Sequence, residues 1–205
     1  MAEHPGAMEP GEFDLVGCAV GVVERDQLIT GEDVRRGDVL IGLPSPGLRS
    51  NGYSLARGVF FDVAERPLDA PAYEGAGHTL ADELLEPSVI YAPAVLALER
   101  LVDVRAVAHI TGGGLPGNLA RVLPRNAGAV LEPRSWEVPR VFTEIQQLGD
   151  VSVEEMRKVF NLGIGMVVVV RPDEVFRALD VLRSNGHRAL EIGRIERGDG
   201  GVTFE

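Results

Sequence analysis

Short runs of Val, Ile, Leu and Ala alternate with segments of helical spacing along most of this chain, and Gly or Pro marks most of the junctions. Each kind of segment has an apolar side to cover, and stacking helices on a sheet covers both at once. The strand-like runs are Phe13–Val23, Asp38–Leu43, Arg105–Ile110, Ala127–Leu131, Gly165–Val170, Ala189–Ile195 and Val202–Phe204. Gly165–Val170 is the most β-branched, and Phe13–Val23, with small residues between its valines, suits a strand buried on both faces. Helical spacing follows the loop at 44–52, with Leu55, Val59 and Val63 on one side, and recurs over Thr79–Leu85, Ile90–Leu101, Pro116–Leu123 and Pro139–Leu148. Two more helices are predicted. Ser152–Val159 opens with Ser152 and Glu155 as a capping box, and Asp173–Asn185 is closed by Gly186. The pattern predicts one α/β domain in which strands and helices are interleaved. Residues 13–205 form one domain, and residues 1–12 are a turn-rich lead without helical or strand period.

A chain of 205 residues, 45% hydrophobic and 25% charged, buries a core without a disulfide or metal staple. Its 20 basic and 31 acidic side chains give a net charge of −11, which speaks against nucleic acid or an anionic membrane as partner. Cys18 is the sole cysteine, so no intrachain disulfide forms. Its apolar neighbours predict a buried thiol in a reducing, cytoplasmic compartment. No run reaches the ~20 apolar residues of a membrane span, and the first twenty residues hold four acids and no Lys or Arg, unlike a signal peptide.

Three loops carry candidate chemistry. In His109-Ile110-Thr111-Gly112-Gly113-Gly114, three glycines join a strand to a helix. Such a run suits either a tight turn or the close approach of a phosphate to backbone N–H groups. His109 just before it is a candidate proton carrier. In Arg49-Ser50-Asn51-Gly52, Ser50 and Asn51 suit a helix cap or donors to a polar ligand. Asn161, ahead of Gly163 and Gly165, suits a turn at the entrance to a buried strand. His4, His78 and His187 stand apart, with no metal-ligand spacing among them.

These segments also resemble the phosphoribosylformylglycinamidine cyclo-ligase (aminoimidazole ribonucleotide synthetase) family of purine biosynthesis. The likeness runs in family order through Gly11–Gly17, Val20–Glu24, Gly37–Ile41, Ser50–Leu55, Ile90-Tyr91, His109–Gly114, Asn118-Leu119, Arg121–Pro124, Phe160-Asn161 and Gly163–Met166. It covers the C-terminal part of the family's chain and implies that part's fold, α/β/α layers in an α+β arrangement with helices flanking a mixed sheet. The resemblance implies an N-terminal half that carries much of the ATP-binding surface and the main dimer contact. It also implies that residues 1–12 are the remnant of an interdomain segment, because Ala2-Glu3 with Pro5-Gly6 is similar to the end of the family's Gly-Gly-Glu-Thr-Ala-Glu-x-Pro-Gly.

The implied activity is ATP-dependent ring closure of formylglycinamidine ribonucleotide. ATP, with Mg2+ held mostly by the N-terminal half, phosphorylates the formyl oxygen, and a nitrogen then attacks to close the imidazole ring, releasing ADP and phosphate. The resemblance implies that Gly112, Gly113 and Gly114 cradle a substrate phosphate, with Ser50, Arg49 and Asn161 beside it. It places His109 and Asn51 at the reacting region and Glu3 on the nucleotide side. Two positions depart from the family: Arg49 stands where His is usual in His-Ser-Asn-Gly, and Val89 where Arg is usual in Thr-Arg-Ile-Tyr. These departures keep two rival readings open. One is a non-catalytic paralogue or split subunit that binds a phosphorylated ribotide or pairs with a complete synthetase or an N-terminal half. The other is a different ATP-using activity of the wider superfamily.

Overall fold

Gly165–Val170 shows how the layers arise. In the computed structural model, which describes residues 17–205, this run lies in strand β4 (Ile164–Val170), and consecutive valines point to opposite faces. Val167 and Val169 enter one apolar cluster with Leu40, Ala106, Ala129, Leu115 and Leu119, whereas Val168 and Val170 enter another with Ile41, Leu43, Leu98 and Leu182. A strand apolar on both sides needs cover on both, and helices supply it.

Around β4 lie β1 (Val39–Pro44), β2 (Val104–His109), β3 (Ala127–Leu131), β5 (Leu190–Arg197) and β6 (Val202–Phe204), in the order β2-β4-β1-β5-β3-β6. β4 is antiparallel to both β1 and β2, and β5 to both β1 and β3, while β3 and β6 run parallel. The sheet is therefore mixed, as the family resemblance implies. Helix α4 (Gly114–Leu119) covers the first face, and α3 (Ala92–Glu99) with α7 (Val175–Ser184) covers the second. A third cluster lies among α1 (Tyr53–Arg57) and its π-helical continuation Gly58–Val63, α2 (Leu80–Leu84), α5 (Arg140–Leu148) and α6 (Val153–Val159), around Phe60, Phe142 and Phe160.

Several local expectations are corrected. Within Phe13–Val23, residues 17–23 form no strand: Val20 and Val22 are 93% and 100% exposed and Cys18 is exposed. No strand of the described residues pairs with this segment, so its apolar period has no sheet to serve; Phe13–Val16 and residues 1–12, including Glu3, lie outside the described residues. The cap of α1 is neither Ser50 nor Asn51 but Gly52, whose φ of +82° turns the chain into the helix without a side-chain bond. Helix α4 begins two residues before Pro116, at Gly114 with Gly113 as its left-handed cap, and ends at Leu119. At α6 Ser152 accepts from the Glu155 N–H at 3.2 Å, and the full reciprocal box occurs instead at α2, between Thr79 and Asp82. The helix expected from Asp173 opens with a 3-10 turn, Pro172–Glu174. Among the described residues, no helix is long and apolar enough to cross a membrane.

Candidate functional site

The antiparallel pairing of β4 with both β1 and β2 brings the loops after β1 and β2 to one end of the sheet, beside the entrance to β4. Arg49 lies in the first loop and His109 closes β2, sixty residues on. Arg49 has φ +63°, left-handed for a residue with a Cβ, which costs about 1–2 kcal/mol. It is buried at 9% exposure, and its Nη1 donates to the Gly165 carbonyl at 3.0 Å. Its Nη2 is bonded to His109 Nε2. Its Nε is buried without a partner, and no carboxylate of the described residues lies within 4.0 Å of the guanidinium. A buried cation without a counter-ion is costly.

That bond settles the state of the histidine. A guanidinium only donates, so Nε2 accepts, and the neutral ring carries its proton on Nδ1. Burial first, then the Arg49 charge, holds the His109 pKa below its usual value, so the ring is neutral at pH 7. Burial likewise lowers Arg49 and raises the phenol of Tyr91. Taken as a whole residue His109 is exposed, so the burial that acts on its ring is partial and lies on the side that meets Arg49 and Tyr91.

The glycine loop has a different internal logic at each position. Gly112 is exposed, and the Asn51 amide oxygen lies against it, 3.3 Å from where a Cβ would stand. Gly113 has φ +98°. Gly114, at φ +60°, is buried against the backbone of α6: a Cβ there would overlap the Arg157 carbonyl and lie 2.9 Å from that of Phe160. Close packing on α6 accounts for Gly114, whereas Gly112 is exposed and Gly113 half-buried.

Asn118 holds this loop. Its Nδ2 donates to the carbonyls of Gly114 at 2.7 Å, Thr111 at 3.2 Å and Gly112 at 3.4 Å, while Oδ1 accepts from Thr111 Oγ1 at 3.1 Å and Arg121 Nη1 at 3.2 Å. The visible signal is an asparagine four residues into a helix that opens on glycines. Asn118→Leu strands these partners and is expected to lower unfolding stability by about 2 kcal/mol in urea titration. An unchanged midpoint would contradict the hub role.

Asn161 joins the two loop systems in a structural manner. Its Nδ2 donates to the Gly47 carbonyl at 2.9 Å and its Oδ1 accepts from the Gly163 N–H at 2.7 Å, both buried. The structure therefore brings together Arg49, Asn51, His109, Gly112 and Gly113, leaves Ser50 exposed beside them, and uses Asn161 beneath them. Among the described residues no three His, Cys, Asp or Glu side chains are placed to hold a metal ion.

Comparison with known proteins agrees with the resemblance. Residues 35–204 match the family model described as AIR synthase related protein, C-terminal domain. The phosphoribosylformylglycinamidine cyclo-ligase of Myxococcus xanthus (strain DK1622) is 50% identical over 202 residues, which is 98% of this chain and 58% of the relative. That of Thermodesulfovibrio yellowstonii (strain ATCC 51303 / DSM 11347 / YP87) is 46% identical over 197 residues, 96% of this chain and 57% of the relative. The chain thus spans under two thirds of the curated relatives it matches. Among solved structures, hydrogenase maturation protein HypE in complex with ATP superposes with a TM-score of 0.58 at 18% identity, over 89% of this chain and 51% of that one, a likeness of fold.

Proposed function

The chain belongs to the AIR synthase related proteins through their C-terminal domain, and on that premise we propose that it supplies the ribotide-holding part of an ATP-dependent ring closure, formylglycinamidine ribonucleotide to aminoimidazole ribonucleotide. The observation that carries the reading is Arg49, a buried guanidinium without a carboxylate, joined to His109 at the mouth of the glycine loop. An anionic ligand supplies the missing counter-charge, and Arg is the side chain best shaped for phosphate.

In the reaction, the γ-phosphoryl group passes from ATP to the formyl oxygen and ADP leaves. An amidine nitrogen then attacks the activated carbon, the C–O bond breaks and phosphate departs. This chain's residues act by charge and position. His109 presents its Nδ1 proton to a developing negative oxygen, Arg49 offsets the added charge, and Asn51 and the backbone N–H groups of Gly112 and Gly113 orient the ligand. ATP supplies the phosphoryl group. Among the described residues no group of three His, Cys, Asp or Glu side chains is placed to hold Mg2+.

A second reading has its own support. Arg49 occupies the Nε2 that a proton-accepting histidine would need, which favours a chain that binds the ribotide without turning it over. Phosphate release from ATP, measured with this chain alone and then mixed with the N-terminal half of a relative, separates the two. Release only on mixing is the result expected of the ring-closing role; ribotide binding without release in either case assigns the binding role. A chain that binds no ribotide in calorimetry, alone or mixed, overturns both.

A further inference from the structure

Tyr91 is 3% exposed at the start of α3, inside the apolar cluster on the second face of the sheet, yet its hydroxyl is bonded to a carbonyl that belongs to neither. That acceptor is Pro44, at 2.7 Å, the last residue of β1 and the root of the loop that carries Arg49, Ser50 and Asn51. The hydroxyl also lies against Gly165, filling the space a Cβ would need. The Gly165 carbonyl in turn takes Arg49 Nη1 at 3.0 Å and the N–H of Ile110, next to His109, at 2.9 Å. The Tyr91 ring stands edge-on to the His109 ring, 6.3 Å between centroids at 66°, and His187 stacks on it at 5.5 Å and 31°. One buried side chain therefore touches the root of one loop, lies against the residue whose carbonyl both loops share, and faces the histidine of the other.

We infer that Tyr91 is a positioning residue, backed by His187, that fixes Arg49 and His109 in the geometry that receives the anionic group. The inference rests on the proposed ligand role of that pair. Filling the core is not a sufficient account of the residue, because a phenylalanine fills the same volume and leaves the Pro44 carbonyl without its donor. Nor does the hydroxyl serve the ligand directly: its proton is committed to Pro44, and burial keeps it un-ionised. The titratable and charged groups that face His109 are Arg49 and Tyr91, with His187 beyond the phenol.

Tyr91→Phe is the test, since it keeps the ring and removes one bond. Two quantities are read on chains shown to be folded by circular dichroism: affinity for the ribotide by calorimetry, and the His109 titration by NMR. The variant is expected to bind about fivefold to tenfold more weakly, with the His109 titration moved up toward the ordinary histidine value as the pair loosens. His187→Ala is expected to move the titration in the same direction by less. If the wild-type chain binds and Tyr91→Phe binds equally with His109 titrating as before, the inference is overturned. If the wild-type chain binds no ribotide, the functional reading fails, and the His109 titration alone then decides whether Tyr91 positions the pair. Should Tyr91→Phe not fold, His187→Ala carries the test, and an unmoved titration there overturns the inference.

Discussion

An alanine at position 114 is expected to melt the domain roughly 6–12 °C below the wild-type chain. The added methyl meets the Arg157 carbonyl of α6 and the Phe160 carbonyl just past its end, and backbone cannot step aside as a flexible side chain does. Overpacking of this kind costs about 1–3 kcal/mol, and a Cβ in the left-handed conformation of φ +60° adds about 1–2 kcal/mol. A total near 3 kcal/mol shifts the midpoint by about 2–4 °C per kcal/mol in a domain of this size. Gly112→Ala is the contrasting variant. Its φ is not left-handed, and its nearest obstacle is the Asn51 side chain, which can turn away. It should melt within about 2 °C of wild type and weaken ribotide binding by displacing Asn51. Equal melting losses in both variants would sink the distinction between a packing glycine and a ligand-facing one. Differential scanning calorimetry on both proteins reads it directly.

The two variants also mark where sequence reasoning reaches its limit. Three adjacent glycines announce a backbone need, but which need belongs to which residue depends on α6, more than forty residues away. Strands were legible wherever their own apolar run decided them: β3 and β6 appear over the residues expected, and the alternating valines of β4 account for two covered faces. The order β2-β4-β1-β5-β3-β6 was not legible, since none of its pairings joins strands consecutive in sequence, and closing such long segments leaves no local mark. The reading of Cys18 failed for a related reason. Apolar spacing states what a segment can bury, not whether a sheet edge is offered to it, and among the described residues none is. At the site, His109 was visible as a histidine before a glycine run and Arg49 as a departure from the family's usual histidine. Their bond was not visible, because it depends on β1 and β2 flanking β4. Asn118 and Asn161 are both asparagines beside glycines, and only the structure separates the hub of one loop from the strut between two.

Arg49→Met is expected to separate binding from stability. Methionine keeps the length and much of the volume of the side chain and removes the charge. The guanidinium's bonds to an anion are charge-assisted, worth about 1.5–3 kcal/mol, so ribotide affinity should fall roughly 10- to 100-fold. Stability at pH 7.5 should change little: the variant forfeits the bond to the Gly165 carbonyl but no longer buries an unpaired cation. The pH dependence carries the sharper test. In the wild-type fold His109 has its pKa depressed, by burial and then by Arg49, so the unfolded chain holds more protons once the pH drops below about 6.5. The His109 contribution to stability is therefore flat above pH 7 and unfavourable below it, growing until the pH passes the folded-state value. Removing the guanidinium takes away one of the two causes, so the His109 titration moves up and this acid-side loss shrinks. NMR titration and urea midpoints at pH 7.5 and 5.5, on both proteins, report the two effects separately. Arg49→Lys retains a charge without the planar fork and should recover only part of the affinity. If Arg49→Met binds as tightly as wild type, the guanidinium is not the ligand's counter-charge. If its His109 titration stays where it was, the histidine is depressed by burial alone, and the pairing of the two side chains has no electrostatic consequence.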